Sequence, residues 1–327
     1  MRAKAVANAN IALIKYWGKR DGELKLPAVG SISITLDGLK TTTEVSFDSS
    51  LGEDAFILDG EVRPHEAKRV SLYLNTIRAL AGIDTYARVQ SENNFPTGAG
   101  LASSASGFAA LALAATRAAG LDLSFEGLSA LARQGSASAA RSLFGGFVEM
   151  RRGERDDGRD AHAVQLIDEQ AWPLSVGVAI TSRERKAIGS TEAMEQSALT
   201  SPFYAPWVSH QQSDLEAMRE AIAGRDFERM AELSEFSCLK MHGLMLSTNP
   251  GLVYWNGTTV DCIHEVRAMR ADGLPVFFTI DAGPQVKAVC LPEALETVSG
   301  RLKDVPGVHD VLATGLGGGA LLREDTQ

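Results

Sequence analysis

Two rhythms of hydrophobic and polar residues run through this chain, and each marks a type of element. From Ala5 to Tyr16 small and apolar residues alternate, which predicts a first strand. After a polar turn at Asp21–Gly22, strands are expected over Ser31–Leu36 and over Lys40–Phe47, where Thr41, Thr43, Val45 and Phe47 share a face. Phe56–Leu58 and Glu61–Arg63 flank Asp59–Gly60, a good hairpin turn. Pro64 opens a helix that runs to about Ala81 and stops at Gly82. Tyr86–Ser91 reads as a strand and leads into Asn93–Gly120. Here a loop rich in Pro, Gly, Thr and Ser gives way, from about Ser103, to an Ala, Leu and Phe run that reads as a helix buried on most faces. A helix over Ser124–Arg133 follows, then the small polar run Ser136–Ser142, a break at Gly145–Gly146, a strand over Phe147–Met150 and a charged surface turn over Arg151–Asp160.

Near Trp172–Pro173 the pattern restarts. Leu174–Thr181 is an apolar strand, followed by the basic stretch RERKAIGSTEAM. Two or three amphipathic helices fit between Ser190 and Met245, and another near Val260–Ala271. Strands over Pro275–Ile280 and Val286–Cys290 flank DAGPQ, Pro292–Lys303 is helical, and Val308–Ala313 is the last expected strand, before GLGGGA. Strands precede and separate helices in both halves, so each half is expected to be an α+β sandwich. At 327 residues the chain exceeds most single cores, and a boundary near Trp172 gives domains 1–172 and 173–327.

Composition narrows the function classes. Hydrophobic and charged fractions of 45% and 22% are ordinary for a globular protein. A net charge of −9 argues against nucleic-acid and anionic-membrane partners, so any phosphate must be met by cations and N–H groups gathered locally. The three cysteines form no CxxC pair and the six histidines show no HxH or HExxH spacing, so neither a disulfide framework nor a zinc site is expected, and a reducing cytoplasm is. Met1–Asn10 has no apolar core of a leader, and no charge-free apolar run reaches the ~18 residues of a membrane span.

Five stretches carry candidate chemistry, and each also admits a plain structural role. PTGAGLASSAS, at the start of a buried helix, offers backbone N–H groups and a positive dipole end to phosphate. It is neither a Walker A loop nor GxGxxG, and it holds no Lys, so charge must come from Mg²⁺, held in part by a Ser at the helix start, and from lysines elsewhere. KYWGKRD sets Lys15 and Lys19 around Tyr16–Trp17, an anion pocket or an anchored turn. GSASAARS puts Arg141 among small neighbours, suited to a bidentate grip on carboxylate or phosphate or to pairing on a helix surface. In TIDAGPQ, Asp281 ends an apolar strand, as a general base for a hydroxyl attacking phosphorus or as the start of an Asx turn. RERKAIGSTEAM places Arg183, Arg185 and Lys186 before Gly-Ser-Thr, a phosphate clamp or a solvated loop. His242, His264 and Met241–Met245 read as packing.

In this order ANIALIKYWGKRD, NNFPTGAGLASSASG, GSASAARSLFGGFV, STEAM and DAGPQ resemble the diphosphomevalonate decarboxylases of the GHMP kinase superfamily, from about Ala7 to Gly319. The resemblance implies a two-domain α+β fold, with an N-terminal half like ribosomal protein S5 domain 2 and a ferredoxin-like C-terminal half. It implies a cytoplasmic, homodimeric enzyme that uses ATP and Mg²⁺ to phosphorylate the 3-hydroxyl of (R)-5-diphosphomevalonate, then releases phosphate and CO₂ to give isopentenyl diphosphate. By position, Asp281 matches the family's catalytic Asp, Arg141 the Arg that grips the carboxylate, and Ser138 and Asn10 residues near the carboxylate and hydroxyl. Tyr16, Lys19, Ser136, Ser190 and Thr191 match the diphosphate end. Pro96, Thr97, Gly98, Ala99, Gly100, Leu101, Ala102, Ser103 and Ser104 match the ATP phosphate loop, with Ser104 a Mg²⁺ ligand and Lys186 in a loop that approaches the phosphates. Ala28–Val29–Gly30 stands where the family has an Asn and small polar residues, Gly189 where relatives have a Ser, and GLGGGA is looser than the family's tail. A decarboxylase of mevalonate 5-phosphate, a mevalonate 3-kinase-like enzyme and a non-catalytic metabolite-binding regulator are the alternative readings.

Overall fold

The structure, a computed structural model, describes residues 1–95, 103–184 and 186–323. The chain opens with β1 (Arg2–Ile14), the short pair β2 (Lys19–Asp21) and β3 (Leu26–Pro27), and β4 (Ser31–Phe47). Then come β5 (Ala55–Leu58), β6 (Glu61–Val62), α1 (Pro64–Ala81), β7 (Ala87–Asn93), α2 (Ser103–Ala118) and α3 (Phe125–Gly135). A 3₁₀ helix spans Ala137–Leu143, followed by β8 (Phe147–Met150) and β9 (Ala163–Ile167). The second half holds β10 (Ser175–Ile180), α4 (Ser190–Thr200), α5 (Tyr204–Gly224), α6 (Phe227–Leu246) and α7 (Gly257–Ala271). It continues with β11 (Val276–Thr279), β12 (Val286–Cys290), α8 (Leu295–Lys303), β13 (Asp310–Gly315) and β14 (Leu321–Arg323).

Local signals set most of these bounds. Helix α1 starts on Pro64 and ends at Gly82, whose φ of 65° is the left-handed stop an L side chain resists. Ser124 caps α3 by accepting from Gly127 N. Two expectations are corrected, and one strand is added to those expected. The two strands expected over Ser31–Leu36 and Lys40–Phe47 are one, β4, because Leu36 and Leu39 stay buried and Asp37 Oδ1 accepts from Thr314 Oγ1 and Gly315 N, anchoring the intervening residues. Strand β9, which pairs with β8, follows the charged turn without a strong periodic signal. Val308–Ala313 does not hold the last strand: β14 pairs antiparallel with β1 and returns the chain end to the first sheet.

The first sheet runs β14-β1-β4-β7-β5-β6, with β8 and β9 continuing from β4; the second runs β11-β12-β10-β13. The Ala-rich face of α2 lies in one core with α1, α3 and the first sheet. A second core joins the two halves, where Ile11, Leu13 and Ile34 meet Val176, Val178, Leu215 and Phe277, and Phe147 stacks on Trp172 at 5.4 Å. This dry seam fixes the ends of β1, β11 and β12 against one another, and the cavity described next opens there.

Candidate active site

A cavity of about 500 Å³ lies between the halves, within the ordinary range for a small-molecule site. Among the described residues its lining includes the cations Lys15, Lys19, Lys25, Arg69, Arg141 and Lys186, against one carboxylate, Asp281. In a chain of net charge −9 such a concentration is a built anion site.

Asp281 follows β11 at the cavity floor. Lys15 Nζ donates to its Oδ1 at 2.7 Å and Lys287 Nζ lies 3.4 Å from Oδ2. Both lysine side chains are almost fully buried, whereas that of Asp281 is 27% exposed, toward the cavity it lines. Burial alone would raise its carboxyl, but the charges of Lys15, Lys287 and Arg141 outweigh it and hold the group well below the usual carboxylate range. Lys15 is itself held by Ser237, whose Oγ accepts from its N, and by Gln211, whose Nε2 donates to its carbonyl and to that of Gly30.

Arg141 projects from the 3₁₀ helix. Its Nη1 donates to Ser31 Oγ at 2.6 Å, and Nε and Nη2 donate to Asn10 Oδ1 at 3.3 and 3.0 Å. Asn10 Nδ2 donates to Ser138 O and Ser142 Oγ. The Asn10 amide is thus occupied on both ends: it orients the guanidinium. Burial lowers Arg141 to about 10, still charged at neutral pH. Ser104 Oγ, Ser136 Oγ and Ser138 Oγ form a hydroxyl chain at 3.3 and 3.2 Å, running from the start of α2 to the cavity side of the 3₁₀ helix.

The remaining residues close the other walls. Tyr16 lines the cavity with a buried hydroxyl that has no hydrogen-bond partner among the described residues, and burial raises its pKa. Lys19 follows Gly18, whose φ of 98° disfavours an L side chain and where a Cβ would come within 2.2 Å of the Tyr204 hydroxyl; Lys19 Nζ is 3.7 Å from Glu195. Ser190 and Thr191 begin α4, so the start of that helix lines the cavity. Lys186 Nζ donates to Ser190 Oγ at 3.0 Å and to Ala282 O at 3.2 Å, tying two candidate stretches together.

Of the candidate site residues that fall within the described part of the chain, all but Arg183 line this one cavity. Pro96–Ala102 and Arg185 lie outside it. The departures at Ala28, Val29 and Gly30 are not in the lining: Val29 packs in a core with Trp17 and Trp207, and a Cβ on Gly30 would come within 2.8 Å of Leu215. Gly189 does line it. His242 is packed, its ring 4.4 Å from that of Trp255. Sequence reading passed over Lys25, Arg69 and Lys287. Lys25 Nζ and Arg69 Nη2 both donate to Gly135 O at 2.7 Å, and nothing local marked either. Lys287 had a signal, as the one charge in the buried strand VKAVC.

Comparison with known proteins agrees across the chain. The family model described as the diphosphomevalonate decarboxylase-like N-terminal domain matches residues 7–163, and that of the mevalonate 5-diphosphate decarboxylase C-terminal domain matches 176–314. The diphosphomevalonate decarboxylase of Candida albicans is 38% identical over 86% of this chain and 82% of its own length, and that of Homo sapiens 39% over 88% and 76%. A solved mevalonate diphosphate decarboxylase from Enterococcus faecalis superposes with a TM-score of 0.92 at 39% identity, over 99% of both chains. A structure of MDDEF in complex with MVAPP, AMPPCP and magnesium gives 0.93 at 40%, also over 99% of both. In fold and in sequence, this chain belongs to the diphosphomevalonate decarboxylase family.

Proposed function

We propose that this chain binds Mg-ATP and (R)-5-diphosphomevalonate together in the cavity, phosphorylates the 3-hydroxyl, and releases phosphate and CO₂ to leave isopentenyl diphosphate and ADP. One observation carries the reading: the lysine-paired carboxylate of Asp281 and the oriented guanidinium of Arg141 line the same cation-rich cavity. Asp281 orients the hydroxyl and takes its proton as the bond to phosphorus forms. A carboxylate held so acidic is a weak base, but in a loose phosphoryl-transfer transition state the nucleophile's proton leaves late and orientation matters most. Arg141 holds the substrate carboxylate with N–H groups left over from Asn10 and Ser31. When the carboxylate departs as CO₂, its bonding electron pair forms the alkene to C3, and the C3–O pair leaves with phosphate. Buried apolar Trp17, Met194 and Met241 keep that step dry.

The donor set fits the nucleotide. Among the described residues no cluster of three His, Cys, Asp or Glu could hold a metal, and Ser104 Oγ, which lines the cavity at the start of α2, would help hold the Mg²⁺ of Mg-ATP. When bound, the ion supplies charge neutralisation on the phosphates. Lys186, at the end of the loop before α4, meets the same charge. Tyr16, Lys19, Ser136, Ser190 and Thr191 take the diphosphate end, where several cations favour the diphosphate over a monophosphate. The reading extends to two domains that meet near Trp172, to a homodimer, and to the cytoplasm, where the three buried free cysteines are at home. Among the described residues no helix is long and apolar enough to cross a membrane.

The test is product release from purified protein with Mg-ATP and either 5-phospho- or 5-diphosphomevalonate. ADP, phosphate and CO₂ in equal amounts from the diphosphate are expected; release of none from either substrate would end the reading.

A further inference from the structure

Strand β12 reads VKAVC and is buried at every position, yet its second residue is a lysine. Lys287 sits in antiparallel register with Thr279 of β11 and Val178 of β10, in the middle of the second sheet. Its side chain is 2% exposed and it does not line the cavity. A charge placed there is costly unless something needs it, and an apolar residue of similar volume would serve the core as well or better. Its ammonium lies 3.4 Å from Asp281 Oδ2, on the opposite oxygen from Lys15.

We infer that Lys287 is a positioning residue for the reaction, which acts through Asp281: together with Lys15 it clamps both carboxylate oxygens, so that one orientation faces the reacting hydroxyl and the group stays ionised. The inference rests on the proposed function. Other groups surround the same carboxylate. Arg141 reaches it from the 3₁₀ helix and adds to the clamp, Lys186 adds charge from the loop before α4, and Cys238 and His242 face it from α6. The last two carry no positive charge at neutral pH: burial pushes the Cys238 thiol up to about 11 and the His242 imidazole down to about 3. Instead they brace the preceding peptide, since Cys238 Sγ lies 3.3 Å from Ile280 N, which donates to it, and His242 Nε2 lies 3.3 Å from Ile280 O. Asp281 is therefore held along its backbone by α6 and at its carboxylate by a hydrogen bond from Lys15 on one oxygen and the ion pair with Lys287 on the other.

The sign of the pH effect follows. The lysines keep Asp281 ionised, so in the native enzyme its protonation does not limit activity in the neutral range. Without Lys287 burial is offset less, so the carboxyl rises past the ordinary carboxylate range toward neutral, and activity is lost at a higher pH as the solution is acidified. Lys287→Met is expected to lower kcat by about tenfold or more and to raise the ratio of kcat at pH 8 to kcat at pH 6 by about threefold or more. Because Lys287 does not line the cavity, KM for Mg-ATP and for diphosphomevalonate should stay within about threefold. Lys287→Arg keeps the charge and should restore most of the pH ratio. A folded Lys287→Met variant with wild-type kcat and pH ratio overturns the inference. So does a variant that shifts KM and kcat together without moving the pH ratio, since a purely structural role does that. Should the variant not fold, the wild-type enzyme still decides: with ¹³C-labelled Asp, the carboxyl signal that disappears in Asp281→Asn must remain ionised down to pH ~5, and a midpoint above that overturns the inference. A wild-type enzyme inactive on diphosphomevalonate would refute the proposed function and leave this titration as a separate result.

Discussion

Replacing Arg141 by lysine isolates what a planar guanidinium does in this site. Of the five N–H donors such a group carries, Nη1 gives one to Ser31, and Nε and Nη2 give one each to Asn10. One N–H remains on each terminal nitrogen, the fork that takes a carboxylate through two parallel bonds. A lysine brings three donors from a single point. It can satisfy Asn10 and Ser31, or meet the substrate, but it cannot do both in this geometry. Losing one charge-assisted bond to the substrate costs about 1.5–3 kcal/mol, which is roughly 10- to 150-fold in kcat/KM at about 1.4 kcal/mol per decade. Leaving Asn10 Oδ1 or Ser31 Oγ buried without a donor costs a further ~1–3 kcal/mol of stability. The assay is the initial rate of ADP release against diphosphomevalonate at saturating Mg-ATP, with a thermal melt on the same sample. Arg141→Lys with kcat/KM within about threefold of wild type would refute the carboxylate role, since no cheaper arrangement of the remaining donors exists in this pocket.

Two further outcomes are expected. Asp281→Asn should bind ATP, measured by equilibrium titration, while turnover falls by about 10²- to 10⁴-fold; near-normal turnover would make Asp281 a structural residue. Burial, with the charges of Arg69 and Lys19, brings Lys25 down to about 8, so it is protonated below that pH and loses its charge as pH rises through it. Affinity for the phosphorylated ligands should accordingly weaken between about pH 7.5 and 9, and Lys25→Met should flatten that part of the profile; an unchanged slope would place the effect on another group.

How much of this could be read beforehand varies with the range of the interaction. Pro64, Gly82 and Ser124 act within one helical turn, and they marked their helices almost to the residue. The continuity of β4 depends on Thr314, far along the chain, and β14 exists only because β1 has a free edge for it, so neither could be seen locally. The site divides the same way. Asp281, Arg141 and Lys186 stood out because charges next to Gly, Ser and Ala are conspicuous. Lys25 and Arg69 became site residues only when Gly135 placed its carbonyl between them, and Gly135 is required there because a Cβ would strike the Phe108 ring at 2.1 Å. The occupied amide of Asn10 is likewise a fact of packing: its type and position pointed to the site, but only the contacts show that it serves Arg141 rather than the cavity.

The central claim is a coupled phosphorylation and decarboxylation in one cavity, and a single time course tests it most directly. Purified enzyme with Mg-ATP and (R)-5-diphosphomevalonate carrying ¹⁴C at the carboxylate should release labelled CO₂, phosphate and ADP together and in equal amounts. ADP formed without CO₂, with a 3-phosphorylated product accumulating, would make the chain a kinase and contradict the claim.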